Sequence, residues 1–155
     1  MLYFTRHAER MDFVHPYVEG ESPWHRHDTP LSPLGHTQAT EVGLHLAQQN
    51  IVIHRILCSP YRRCIQTAAR IAMAFQSTST TGSCGLISIE YACSEWHRQW
   101  APNRLPQHVP SEVISELELP LSLLDTDYKS ALPPSYFEQM AQQESVISFC
   151  FISYT

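Results

Sequence analysis

The chain has 155 residues, a formal net charge of −5 and a hydrophobic fraction of 43%. This length fits one domain with a core of its own, and the acidic balance gives no reason to expect nucleic acid or an acidic membrane surface as a partner. Positive charge gathers locally around residues 6–10 and 62–63. The sequence therefore predicts a single domain over residues 1–155 with a site for one small anion.

The five cysteines are odd in number and form no C-x-x-C pair. Free thiols in a reducing compartment are the simplest interpretation. The opening "MLYF" is far too short for the apolar part of a signal peptide. The closing "SVISFCFISYT" is only about half the length of a membrane span. We therefore expect a cytoplasmic protein that does not bind a membrane.

The first 50 residues predict a strand, a loop and a helix. "LYFT" is typical of a buried strand, and prolines and glycine interrupt any regular element from about residue 6 to residue 33. Ser32 and Pro33 form a plausible N-cap and first position of a helix. The apolar side of that helix is predicted from residues at helical spacing, namely Ala39, Val42, Gly43 and Leu46.

The next 40 residues repeat the alternation of strand and helix. "IVIHRILCS" predicts a second strand, and a second helix starts from a serine–proline pair at Ser59 and ends near "MAFQ". Its buried stripe is predicted at Ile65, Ala68, Ala69, Ala72 and Phe75. "LISIE" predicts a third strand that ends in Glu90. This order favours an α/β layered domain with a mostly parallel sheet.

The remainder of the chain is broken by prolines and contains no convincing strand before its last apolar residues. "SEVISELEL" predicts a brief helix and "PPSYFEQMAQQESVISF" a longer one. We find no internal repeat and no domain boundary.

Charged side chains follow all three predicted strands. Arg6 and His7 follow the first strand, with Arg10 on the same loop; Arg63 follows the second strand, and Glu90 ends the third. Ligands of open α/β sheets bind at the carboxyl ends of the strands. Guanidinium groups grip phosphate with paired hydrogen bonds, and a neutral histidine can attack phosphorus. Neighbouring arginines lower a histidine pKa, and a nearby carboxylate could protonate a leaving alcohol.

Three stretches, "TRHAER", "LSPLGHTQA" and "CSPYRRCIQTA", resemble the histidine phosphatase superfamily, also called phosphoglycerate mutase-like. Within it, "IEYACSEW" and "DTDYKSALP" are similar to the branch of the T-cell ubiquitin ligand (suppressor of T-cell receptor signalling) proteins and ecdysteroid-phosphate phosphatase. The likeness runs from residue 1 to about residue 141. It implies a three-layer αβα fold with a mostly parallel sheet and a phosphatase that works through a phosphohistidine.

The resemblance also implies residue roles. His7 would be the phosphorylated nucleophile, and Glu90 the general acid, with Glu95 as the competing carboxylate ranked second. The phosphate would be held by three arginines, Arg6, Arg10 and Arg63. No metal or organic cofactor is expected, because the arginines supply the positive charge. The substrate would be a phosphotyrosyl protein or a small phosphate ester, and a homodimer is left open.

One part of the family pattern is missing. Members carry a second histidine near the end of the domain, whereas all nine histidines here lie at or before His108. His108 sits in a proline-broken loop, so we give it no role. We therefore expect a truncated domain that lacks its C-terminal strands and has impaired activity. The alternative is an inactive remnant that binds phosphate or a partner protein; a mutase is a weaker third hypothesis, since nothing identifies a phosphoglycerate pocket.

Other polar residues near the motifs have simpler explanations. Arg62 and Glu9 are expected to face solvent, and Ser59 is expected to cap a helix, because a serine nucleophile would also need a base and an orienting acid. "HRH" at His25–His27 lacks the partner ligands of a zinc site. A cysteine phosphatase is disfavoured because "CSPYRR" lacks the required spacing between cysteine and arginine.

Overall fold

The computed structural model describes residues 1–49, 51–79, 84–94, 106, 108–132 and 134–135. Within these ranges the chain forms α1 (Pro33–Gln48), β1 (Ile56–Cys58), α2 (Arg62–Thr78), β2 (Ile87–Ile89) and α3 (Pro110–Glu116). Single turns of 3-10 helix cover Met11–Phe13, Tyr91–Cys93 and Leu121–Leu123. The described helices include none that is both long and apolar enough to cross a membrane. Most of the predicted helix after residue 133 lies outside the described residues.

The sheet is parallel, as predicted. β1 and β2 pair in parallel, with Cys58 opposite Ile89, and α2 makes the crossover between them. A parallel bridge between Ile53 and Cys84 continues this pairing towards the start of the strands. On the other edge of β2, Leu124 forms a further parallel bridge with Ile87. The α/β class and the second and third predicted strands are confirmed, although both strands are shorter than the patterns indicated.

The predicted first strand is not formed. Residues 2–5 are assigned to no strand, and the side chains of Leu2 and Phe4 are 41% and 55% exposed. An apolar run indicates that a segment would gain from burial, but it does not by itself specify the ladder pairing that defines a strand. The prediction of a strand at "LYFT" is therefore wrong.

α1 begins as predicted, because the Ser32 hydroxyl accepts the Gly35 N–H at 3.0 Å and Pro33 occupies the first turn. Its buried side differs from the prediction, since Val42 is 39% exposed. The buried residues are small and recur every fourth position: Gly35, Ala39, Gly43 and Ala47. We call these four residues the small-residue face of α1.

The small-residue face lets other backbone approach α1 closely. A Cβ atom on Gly43 would lie 2.4 Å from the carbonyl oxygen of Ile71 in α2. A Cβ atom on Gly35 would lie 2.2 Å from the carbonyl oxygen of Glu9. Neither position can accept a side chain without moving its neighbour. α1 therefore packs against α2 at one end of this face and against the loop of His7 at the other.

α2 supplies more of the buried core than any other described element, and all five residues of its predicted stripe are buried. Ile65, Ala69 and Phe75 are fully buried, packed with Ile87 of β2 and Ile114 of α3 in one cluster. The helix begins at Arg62 after Tyr61, which provides no side-chain cap. The predicted cap at Ser59 is therefore wrong, because the helix begins two residues later than a cap at Ser59 would require.

Candidate active site

Three of the predicted site residues line one cavity. Arg6, His7 and Arg63 face a cavity of about 530 Å³, together with Ser59 and Thr67. Arg63 is 2% exposed, whereas Arg6 is open to solvent. Most of the other lining is apolar and includes Phe4, Val42, Leu46, Ile56 and Ile71. The cavity thus joins a basic, polar end to a larger apolar wall.

The surroundings of His7 favour a neutral ring with one nitrogen available. Its Nδ1 atom lies 2.8 Å from the carbonyl oxygen of Ala8. Because a carbonyl can only accept, this contact places the proton on Nδ1 and leaves the lone pair on Nε2. Burial has the largest effect on the pKa of His7 and lowers it. The hydrogen bond to the Ala8 carbonyl raises the pKa by less than burial lowers it, and the positive charges of Arg63, Arg6 and Arg10 lower it further. Burial and these charges favour the neutral ring, which carries its proton on Nδ1.

Thr67 connects the loop of His7 to α2. Its hydroxyl accepts the N–H of Ala8 at 3.2 Å and donates to the carbonyl oxygen of Arg63 at 2.8 Å. One buried hydroxyl therefore fixes the residue after His7 against the turn that carries Arg63. Thr67 was not predicted as a site residue. Its place in the "RRCIQTA" motif, four positions after Arg63, is the sequence feature that could have indicated this contact.

The predicted exposure of Glu9 is wrong. Its carboxylate accepts a hydrogen bond from the Ser32 hydroxyl, and its carbonyl oxygen accepts the Ser32 N–H at 3.0 Å. Its own N–H donates to Oε1 of Gln38 at 3.0 Å. Glu9 therefore joins the His7 loop to the start of α1.

Arg63 is held in place by two different contacts. Its Nη1 atom donates to the carbonyl oxygen of His27 at 3.3 Å, and its guanidinium carbon lies 4.5 Å from the centre of the Tyr61 ring. Arg62, the preceding residue, turns the other way and pairs with Glu116. The predicted solvent exposure of Arg62 therefore holds only in part, since its side chain is 24% exposed.

Arg10 does not line the cavity. Its guanidinium forms a two-bond pair with the carboxylate of Asp12, in which Nε donates to Oδ1 at 2.8 Å. The hydrogen bond from Arg10 is the largest cause that lowers the pKa of Asp12. Arg10 is near enough to lower the His7 pKa. Its charge therefore reaches the site although its hydrogen bonds are directed elsewhere.

The structure argues against Glu90 as the general acid. Its side chain, in a residue that is 5% exposed, accepts hydrogen bonds from the Tyr128 hydroxyl at 2.6 Å and the Ser130 hydroxyl at 2.5 Å. The backbone N–H groups of Ala131 and Ala92 donate at 2.9 and 2.8 Å. Burial raises the pKa of Glu90, but these donors, led by Ser130, outweigh it and lower the pKa to about 2. A carboxylate held in this way has no proton to give near neutral pH, and it does not line the cavity. Glu95, the competing carboxylate, lies outside the described residues.

Two features bear on cofactors and redox state. The described part of the chain contains no cluster of three or more His, Cys, Asp or Glu side chains that could hold a metal ion. Cys58, Cys64, Cys84 and Cys93, the cysteines among the described residues, form no disulfide with one another.

The family and two relatives are identifiable from the sequence. The family model for the histidine phosphatase superfamily (branch 1) matches residues 2–109. Ubiquitin-associated and SH3 domain-containing protein B of Homo sapiens is 28% identical over 176 residues, which cover 97% of this chain and 26% of that protein. Ecdysteroid-phosphate phosphatase of Drosophila melanogaster is 29% identical over 160 residues, which cover 86% of this chain and 20% of that protein. The chain spans about a quarter or less of the length of these relatives.

A solved structure shares the fold. The crystal structure of the ecdysone phosphate phosphatase EPPase from Bombyx mori, in complex with tungstate, matches with a TM-score of 0.59 at 20% sequence identity. The match covers 87% of this chain and 61% of that chain. The match of the family model over residues 2–109, which is more than half of the chain, shows that the chain belongs to the histidine phosphatase superfamily.

Proposed function

We propose that this chain hydrolyses phosphate monoesters through a phosphohistidine formed on His7. The observation that carries the proposal is the neutral, singly protonated ring of His7, lining the same cavity as the buried guanidinium of Arg63. Nε2 would attack phosphorus as the bond to the leaving alcohol breaks, and the alcohol oxygen would take up a proton. Water would then cleave the phosphorus–nitrogen bond, releasing phosphate and restoring the neutral ring.

The charge of the phosphoryl group would be met mainly by Arg63 and Arg6. Arg63 is buried and oriented by its neighbours, so it loses little freedom on binding, whereas Arg6 is exposed and can adjust. Arg10 would contribute through its charge. It could bind the phosphate directly only if its hydrogen bonds to Asp12 were exchanged for hydrogen bonds to phosphate. This ranking places Arg63 first among the three arginines.

Glu95 is the better proposal for the proton donor. The reason is that Glu90 is ionised and surrounded by donors, while both carboxylates belong to the same "EYACSE" segment. The test compares Glu95→Gln with Glu90→Gln on two substrates, p-nitrophenyl phosphate and an alkyl phosphate. Glu95→Gln should slow only the alkyl ester, whose alcohol needs a proton to leave, by about 10²–10⁴-fold. Equal loss on both substrates would contradict this role.

The apolar wall of the cavity favours a substrate with an aromatic or aliphatic leaving group. Phe4 and Tyr3 lie on one side of the cavity, and Leu46 and Ile71 belong to the helices that line it. A phosphotyrosyl side chain or another apolar phosphate ester would cover this surface, while a sugar phosphate would leave it exposed to water. Relatives named as phosphatases of ecdysteroid and ecdysone phosphates act on esters of this apolar kind.

A second candidate is a protein that binds phosphate without turning it over. All nine histidines lie at or before His108, and His108 itself bonds to Asp28 and to Pro60 rather than to the cavity. The resemblance implies a second histidine beside the nucleophile, so its loss predicts slow hydrolysis. We further propose a cytoplasmic location, because an odd number of cysteines without a C-x-x-C pair is typical of a reducing compartment, and we retain the homodimer as a prediction.

The experiment is hydrolysis of p-nitrophenyl phosphate by the parent protein, His7→Ala and the control His45→Ala. His45 is an exposed histidine of α1 outside the cavity. We expect slow turnover in the parent and in the control and none in His7→Ala, with acid-labile phosphate trapped on the parent and the control but not on His7→Ala. Turnover by His7→Ala at the parental rate would overturn the nucleophile. Phosphate binding without turnover in the parent would favour the second candidate.

A further inference from the structure

Asp28 and His108 form a buried pair next to the start of α2, outside the cavity. Nδ1 of His108 lies 2.6 Å from Oδ2 of Asp28, and their side chains are 7% and 10% exposed. The other carboxylate oxygen of Asp28, Oδ1, accepts the N–H of Arg62 at 2.7 Å. We infer that this pair is a positioning device for Arg63, and this inference rests on the proposed function.

Asp28 replaces the missing cap of α2. The N-cap residue Tyr61 makes no side-chain hydrogen bond to the helix, so the first N–H groups need a partner from elsewhere. A carboxylate at this end also interacts favourably with the helix dipole. Asp28 therefore fixes the backbone immediately before Arg63 from a part of the chain more than 30 positions away.

The same loop also holds the side chain of Arg63. The carbonyl oxygen of His27, the residue next to Asp28, accepts a hydrogen bond from Arg63 Nη1 at 3.3 Å. Residues 27 and 28 thus hold the guanidinium and the helix start together. A displacement of Asp28 would move both attachments of Arg63 at once.

His108 holds Asp28 from the opposite side. Its Nε2 atom lies 3.0 Å from the carbonyl oxygen of Pro60, and its Nδ1 atom faces the Asp28 carboxylate. Both partners are acceptors, so the ring can donate from the nitrogen that faces Asp28 or from the one that faces Pro60. Other ionisable groups line the adjacent pocket of about 360 Å³, namely His25, His27, Arg62 and Glu116. Glu116 pairs with Arg62, which leaves Asp28 as the carboxylate that meets His108.

Loss of His108 would leave one buried oxygen of Asp28 without this donor. A buried carboxylate that loses a hydrogen-bond donor moves towards water or another partner, which here would release Arg62 and the His27 carbonyl. A small misplacement of a phosphate-binding group is costly, because both of its hydrogen bonds depend on direction. We expect phosphate to bind about tenfold more weakly.

The test measures inorganic phosphate binding by calorimetry and exchange of the Arg62 amide proton by NMR. His108→Gln keeps an amide near the position of Nε2, whereas His108→Asn keeps one near Nδ1 and can still donate to Asp28. Glu116→Gln is the matched control, because it removes the Arg62 ion pair on the same side of α2 without touching Asp28. All variants are compared at matched fractions of folded protein.

We expect His108→Gln to bind phosphate about tenfold more weakly with faster exchange at Arg62, His108→Asn to recover part of both, and Glu116→Gln to match the parent. Parental phosphate affinity in His108→Gln would overturn the inference, as would unfolding of both His108 variants, since the pair would then hold the whole domain. If the parent binds no phosphate, the proposed function fails. In that case the exchange rate of the Arg62 amide proton still tests the positioning role. An exchange rate in His108→Gln equal to that of the parent would overturn it.

Discussion

Replacing Glu90 with glutamine should destabilise the protein strongly and remove part of its sensitivity to acid. The carboxylate accepts hydrogen bonds from Tyr128, Ser130, Ala131 and Ala92. Glutamine has nearly the same shape, but its amide nitrogen would face donors on one side. The variant therefore removes the charge and mismatches part of the network without opening a large cavity.

The size of the effect follows from the pKa of Glu90. Burial raises this pKa, and the donors lower it past its ordinary value of 4.5 to about 2. At about 1.4 kcal/mol per pKa unit, the gap between those values corresponds to about 3 kcal/mol of stability. Because the pKa is lower in the folded state, this contribution is present above about pH 4.5 and is lost as the pH falls towards 2. A loss of that size is a large part of the stability of a typical domain.

The assay is urea unfolding at pH 7 and at a series of acidic pH values. The parent should lose stability steeply between about pH 5 and pH 2, whereas Glu90→Gln should start about 1–3 kcal/mol lower at pH 7 and decline less. Glu41→Gln, an exposed glutamate of α1, is the control and should follow the parent. The reasoning is refuted if Glu90→Gln and the parent unfold with equal free energy at pH 7, or if both lose the same amount in acid.

Three further predictions concern single groups. Because burial and the nearby cations lower the pKa of His7, the acidic limb of kcat/KM should lie below pH 6.5; a limb above that value would show that the ring is not shifted downward. Gly35→Ala should lower stability by about 1–3 kcal/mol and slow hydrolysis, because its Cβ atom would lie 2.2 Å from the Glu9 carbonyl oxygen; a parental melting temperature and rate would contradict this. Burial raises the pKa of the Cys84 thiol to about 11, so iodoacetamide at pH 8 should label it only after unfolding, which mass spectrometry can check.

The elements that the sequence predicted correctly are those in which one local pattern settles the answer. The stripe from Ile65 to Phe75 recurs at helical spacing, and every predicted member is buried. The serine–proline pair at residues 32–33 starts α1 as expected. The similar pair at Ser59 does not start α2, because Asp28 supplies an acceptor from a distant loop and the helix begins later. Short-range patterns carry no information about such partners.

The candidate site shows the same division. Arg6, His7 and Arg63 reach one cavity because the carboxyl end of β1 and the His7 loop meet at the start of α2. Glu90 also follows a strand, but three of its four donors come from residues 38 to 41 positions later in the chain. The position of Glu90 at a strand end therefore predicted where its backbone lies. It could not predict that Tyr128 and Ala131 donate hydrogen bonds to its carboxylate.

The small-residue face of α1 makes that helix a spacer for a reaction to which it contributes no reacting atom. One end of the face touches the carbonyl of Glu9, two positions after His7, and the other touches Ile71, two turns beyond Arg63. The gap between the loop of His7 and α2 is thus set by the absence of side-chain volume at Gly35 and Gly43. Growth at either glycine would widen the gap, while the motifs that carry the chemistry stayed intact. Sequences that keep every motif but enlarge these glycines should therefore be poor phosphatases, and motif searches alone would not recognise them.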